Sequence, residues 1–193
     1  MTTRINTIAA GLAALSALTV TSCATAQPAP LAKASATTEE RLQLLLDREE
    51  IGLVLTNYAL SFDARDWELQ RSVFTDEVEM DFSASIGDGL ATMMADDWVA
   101  GVRPFFEALE ATQHIAMPLS IEVDGDEAYA RSMLHAQHYL PNEQGAPVQT
   151  MVGHYDNWLV RTEEGWKVRK MVQHVSWNEG NWYVFEKAAG LSD

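Results

Sequence analysis

The chain has 193 residues, 47% of them hydrophobic and 21% charged, ordinary values for a globular domain with its own core. Its 13 Lys and Arg stand against 28 Asp and Glu, a formal charge of -15. Nucleic acid and anionic membrane surfaces repel such a chain, so neither is expected as a partner.

The first 26 residues read as an export signal rather than fold. Arg4 gives a positive start, and Ile8 to Val20 is an apolar run. That run is too short to span a bilayer but fits the hydrophobic region of a signal peptide. Two processing routes are open: Val20-Thr21-Ser22-Cys23 has the form of a lipobox, and Ala24-Thr25-Ala26 is a small-x-small cleavage site. The periplasm is therefore the expected location, with the protein either soluble or lipid-anchored through Cys23. Cys23 is the only cysteine, which excludes an intrachain disulfide, a second thiol and a clustered thiolate metal site. Residues 27–36, rich in Pro and Ala, read as a linker, and 37–193 as a single domain.

Thr37 followed three residues later by Glu40 has the form of a capping box, so a helix is expected from about 39 to 62. Leu42, Leu45 and Leu46 open its apolar stripe, which Ile51, Val54, Leu55, Tyr58, Ala59 and Phe62 continue at spacings of three and four. Asp66 can cap a second helix over Trp67–Phe74. Val78–Ser83 reads as the first strand, followed by a Gly87-Asp88-Gly89 loop. A helix follows Asp96-Asp97, and Pro104 is expected to interrupt or restart it. The period then changes to two. Ile115, Met117, Leu119, Ile121 and Val123 alternate up to a hairpin turn at Asp124-Gly125-Asp126. Ala128–Leu140, Val148–Arg161 and Trp166–Trp177 continue as a meander, and Asn181–Ala189 reads as a closing aromatic segment, a candidate helix. Helices first and a meander afterwards predict an α+β fold, with helices on one face of a curved antiparallel sheet.

Gly-rich phosphate loops, Gly-x-Ser-x-Gly elbows and HExxH are all missing from the sequence. All five histidines fall in the sheet half. His114 shares a strand face with Ala116, Pro118 and Ser120; His138 shares one with Ala136, Leu134, Ser132 and Ala130. Small neighbours beside a histidine leave room for a ligand, although a structural histidine satisfied by backbone or water fits the same pattern. His154 and Asp156 form His-x-Asp on one strand face, with no third metal ligand at a persuasive spacing, so no metal is expected. Asp63, at the C-terminal end of the first helix, sits where negative charge is mildly unfavourable and so asks for a partner.

Five segments carry a family resemblance: F-D-A-R-D-W-E-L (62–69), T-Q-H-I (112–115), I-E-V-D-G-D-E-A (121–128), A-Q-H-Y (136–139) and G-W-K-V (165–168). In this order they resemble the SnoaL-like branch of the nuclear transport factor 2-like superfamily, and scytalone dehydratase within it. The resemblance implies a cone-shaped α+β barrel, in which a curved antiparallel sheet is wrapped by three N-terminal helices. It also places Asp63 and His114 on an acid–base dyad and His138 on a second site histidine. Two tyrosines of the dehydratase are replaced by Phe62 and Phe82, and Tyr155 falls where it has an asparagine.

The expected activity is therefore a cofactor-independent lyase acting on a hydrophobic, aromatic small molecule. His114 is the base, Asp63 orients it, and His138 and Tyr155 hydrogen-bond the substrate. Tyr58, Phe62, Phe82, Trp98, Met117, Met171, Trp182 and Phe185 are the expected apolar walls. Two reactions fit: elimination of water, and C–C cleavage that releases formaldehyde from a lignin-derived diaryl compound. The alternatives are an exported ligand-binding module of the same fold and a steroid-isomerase-like proton transfer. The last is disfavoured because Tyr155 and Asp156 point to opposite faces of one strand. A homodimer or homotrimer is expected.

Overall fold

The computed structural model describes residues 36–86 and 89–191. The expected signal segment, the lipobox and residues 27–35 of the linker lie outside these, as do Gly87 and Asp88 of the expected loop.

The chain begins with the capping box: Thr37 Oγ1 accepts from the Glu40 N–H at 3.2 Å, and Glu40 Oε2 accepts from the Thr37 N–H at 2.7 Å. This fixes the start of α1 (Thr38–Ala64), which ends at Arg65 in a left-handed conformation, φ 57°. Ile51, Leu55, Tyr58, Ala59 and Phe62 are buried. Leu42, Leu45 and Leu46, expected to open the buried stripe, are 55%, 66% and 49% exposed. The first buried residue of the helix is Asp47, whose carboxylate takes bonds from Arg161 and Trp166. The opening turns therefore lie ahead of the region that packs on the sheet.

Asp66 caps α2 (Trp67–Ser72) through its bond from the Leu69 N–H at 2.9 Å. Phe74 opens β1 (Phe74–Asp81) instead of closing α2, and the Val73 carbonyl just before it accepts from the Val168 N–H across the sheet. β1 ends where Asp81 Oδ1 accepts from Ser83 and turns the chain into the short α3 (Ser83–Ile86). β2 (Ala91–Met94) and α4 (Ala95–Ala108) follow. Pro104 does not interrupt α4: both Pro104 and Ala100, whose carbonyl would have taken its missing N–H, face solvent.

The remaining strands are β3 (Ala111–Ile115), β4 (Pro118–Asp124), β5 (Glu127–Tyr139), β6 (Val148–Thr162) and β7 (Gly165–Gly180), closed by α5 (Tyr183–Ala188). The sheet order is β2-β1-β7-β6-β5-β3, with β4 also pairing β5. The curved sheet is not closed into a complete barrel, and its pairing is antiparallel except between β1 and β7, which run parallel. The hairpin predicted at Asp124–Asp126 forms, with Gly125 at φ 62° supplying the left-handed turn residue.

One edge departs from strict alternation. The strand breaks at Ala116–Met117, and the register shifts between Pro118 and Ser120. Ile115 and Met117 ahead of the shift, and Leu119 within it, are 45%, 53% and 53% exposed, while the shift brings Ile121 to the buried face. Met117 is accordingly not a wall of the site.

Candidate active site

Asp63 lies in the last turn of α1, where the helix dipole disfavours an anion. Three donors from β3 offset that cost. Asp63 Oδ2 accepts from the His114 backbone N–H at 2.8 Å. Asp63 Oδ1 lies 2.7 Å from His114 Nδ1 and accepts from Thr112 Oγ1 at 2.9 Å. Burial alone would raise the Asp63 carboxyl; the His114 ring and backbone bonds, with Thr112, outweigh it and hold the group below the usual carboxylate range. Arg65, turned back by its left-handed backbone, donates to Thr112 Oγ1 at 2.8 Å and to the Leu109 carbonyl at 3.3 Å. The cation thus braces the hydroxyl that braces the carboxylate.

A carboxylate only accepts, so the proton on that side of the His114 ring sits on Nδ1 and Nε2 carries the lone pair. The ring is held from below by Phe62, stacked at 5.3 Å and 28°, and Phe62 in turn stacks on Phe106 at 4.1 Å. The side chain of His114 is only 7% exposed.

His138 stands edge-on to His114, with ring centroids 5.4 Å apart. Its Nδ1 lies 3.3 Å from the Gln149 carbonyl and must donate to it, which leaves Nε2 as an acceptor. Burial, reinforced by the charge of a protonated His114, pushes the His138 pKa down to about 3. His138 is therefore a neutral hydrogen-bonding group at neutral pH. Phe105, Phe106 and Phe185 surround it, Phe185 at 4.8 Å.

From Phe62 a row of aromatic rings runs inward. Tyr58 meets Phe62 at 5.2 Å and Tyr155 at 5.6 Å; Tyr155 meets Phe82 at 6.2 Å, and Phe82 meets Trp98 at 4.7 Å. Burial raises both phenols, that of Tyr155 to about 12, so both are protonated donors at neutral pH. Met171 is fully buried beside Met80 and Asn157 on neighbouring strands. Trp182 is 44% exposed and meets the cluster edge-on at Phe185.

The structure thus brings Asp63, His114, His138, Phe62 and Phe185 together, continues them through Tyr58, Tyr155, Phe82 and Trp98, and leaves Met117 outside. Sequence reading missed Thr112, Arg65, Phe105, Phe106 and the Gln149 carbonyl. Thr112 and Arg65 lie inside two of the resembling segments, which was the available signal. The carbonyl carries none.

The SnoaL-like domain profile matches residues 43–172, and the chain belongs to the SnoaL-like domain family, within the nuclear transport factor 2-like superfamily. A dehydratase of Pestalotiopsis microspora is 26% identical over 134 residues, covering 65% of this chain and 84% of that protein. The crystal structure of a Kribbella flavida protein is 31% identical with a TM-score of 0.70, over 74% of this chain and 99% of the other. A candidate scytalone dehydratase of Novosphingobium aromaticivorans shares the fold at a TM-score of 0.62 and 19% identity, over 72% of this chain and 89% of the other.

Proposed function

We propose that the protein is a cofactor-independent lyase that eliminates water from a hydrophobic, aromatic small molecule, with His114 as the general base. The observation that carries this reading is the two-point contact of Asp63 with the His114 ring and backbone. It fixes both the tautomer and the direction of the free Nε2. In the reaction Nε2 removes a proton from substrate carbon, the C–H pair becomes the new double bond, and the neighbouring C–O bond breaks. The imidazolium, stabilised by Asp63, returns its proton to the departing hydroxyl, which leaves as water. Acid–base catalysis of this kind contributes about 10²–10⁴-fold.

The similarity to a protein named as a dehydratase supports elimination. Neutral His138 offers an acceptor for a substrate hydroxyl. Trp98 Nε1, Asn157 Oδ1 and Gln173 Oε1 are buried with no hydrogen-bond partner among the described residues, which suits an aromatic substrate carrying several oxygens. Phe62 and Phe82 provide no hydroxyl; Tyr58 and Tyr155, lying between them, supply two.

The two phenylalanines also favour a second reading, in which Nε2 takes an O–H proton from a primary alcohol. The C–C bond then breaks, formaldehyde leaves, and a neighbouring oxygen is expelled to give an alkene. Export through the N-terminal signal, anchoring at Cys23 or release as a soluble protein, and assembly into a dimer or trimer belong to the same proposal.

A panel of hydroxylated polyketides and lignin-derived diaryl diols, assayed for alkene products and for formaldehyde, separates these readings. An alkene retaining every carbon supports elimination; stoichiometric formaldehyde supports the second route. Tight binding of aromatic ligands with no turnover across the panel overturns both in favour of a binding module.

A further inference from the structure

Tyr155 turns inward to Tyr58, so its neighbours His154 and Asp156 on β6 point to the outer face of the sheet, away from the dyad. Directly across the ladder from His154 stands His174 of β7. The two rings stack at 4.5 Å and 18°. His174 Nε2 lies 3.0 Å from Asp156 Oδ2, and one donor atom from each of the three residues falls within 4.8 Å of the others. The third ligand that His-x-Asp lacked in the sequence thus comes from the returning strand. Gly153 permits the approach, since a Cβ there would lie 1.9 Å from the His174 carbonyl oxygen.

Two imidazoles and a carboxylate without thiolate suit first-row dications. Two ligands about 2.1 Å from a tetrahedral ion stand about 3.4 Å apart, close to the His174–Asp156 separation. An outer layer already holds the carboxylate. Tyr129 donates to Asp156 Oδ1 at 2.5 Å, and Arg131 donates to Oδ1 at 2.8 Å and to Oδ2 at 3.2 Å. The cations nearby, Arg131 and Lys170, oppose a metal, but Arg131 is paired with Asp156 and Lys170 with Glu79 at 3.2 Å. The Asp81 carboxylate, close enough to feel the His174 charge, and the overall charge of -15 act in favour.

We propose that His154, Asp156 and His174 bind one first-row transition dication on the outer face of the sheet, with a coordination position open to water. The full chain, stripped with EDTA, is titrated with zinc by calorimetry and with cobalt(II) by visible absorbance. One ion per chain is expected, with affinity falling at least about tenfold in His154→Ala and in His174→Ala. His135→Ala, at another outer-face histidine, and His114→Ala retain wild-type binding. Absence of saturable binding, wild-type affinity in both cluster variants, or loss of binding in His114→Ala overturns the proposal. Turnover is not read in this experiment, so its outcome is independent of the dyad.

Discussion

Asp63 occupies a poor place for an anion, the C-terminal turn of a helix, and is kept there by three donors from one strand. Of these, Thr112 acts only through the carboxylate. Thr112→Val should lower kcat about tenfold or more with little change in KM, since hydrogen bonds to charged groups are worth about 1.5–3 kcal/mol; an unchanged kcat would remove Thr112 from the positioning chain. His138 makes a prediction for pH. Its folded pKa of about 3 lies below the ordinary 6.5, so the folded state prefers the neutral ring. That contribution is complete above pH 6.5 and is progressively lost as pH falls towards about 3. Asp63, also depressed, adds to the loss further into acid. His138→Gln should therefore flatten stability against pH between about 6.5 and 3 in denaturant titrations. An unchanged slope would contradict the buried, neutral assignment.

At the scale of elements, β6 and β7 form the spine of the sheet, and at Gly153 the β7 backbone leaves no room for a side chain. Gly153→Ala should destabilise the fold by more than about 3 kcal/mol, because the new methyl meets backbone rather than a side chain that can move; a wild-type melting temperature would refute that. The elements legible in the sequence were those with local causes: the Thr37–Glu40 box, the Asp66 cap and the Gly125 turn. What the sequence hid was set by distant partners. The parallel pairing of β1 with β7 joins segments far apart in the chain. The register shift before Ser120 puts Ile121 on the inner face while Met117, ahead of the shift, stays on the outer one, although both belong to a single apolar row in the sequence. Leu42, Leu45 and Leu46 keep helical spacing but have no sheet to cover. In the site, Asp63 and His114 became legible only through segments matched to a known family, because helical and strand periodicities say nothing about which distant side chains meet. The aromatic support from Phe105 and Phe106 comes from α4, and helical spacing does not say which histidine rings they meet.

For the whole molecule, one sheet carries the Asp63–His114 pair on its inner face and the His154–Asp156–His174 cluster on its outer face, to which we assign acid–base and metal chemistry respectively. Chelators should leave turnover intact while removing any metal-dependent gain in thermal stability. A large loss of activity with EDTA would mean that the outer face takes part in the reaction. The central claim is that the Asp63–His114 pair moves the proton. Its most direct test is kcat for Asp63→Asn and His114→Ala on a substrate identified from the panel, with folding verified by circular dichroism. Both variants should fall by about 10²–10⁴-fold, since each removes the oriented base. Wild-type rates in folded samples of both would contradict the account.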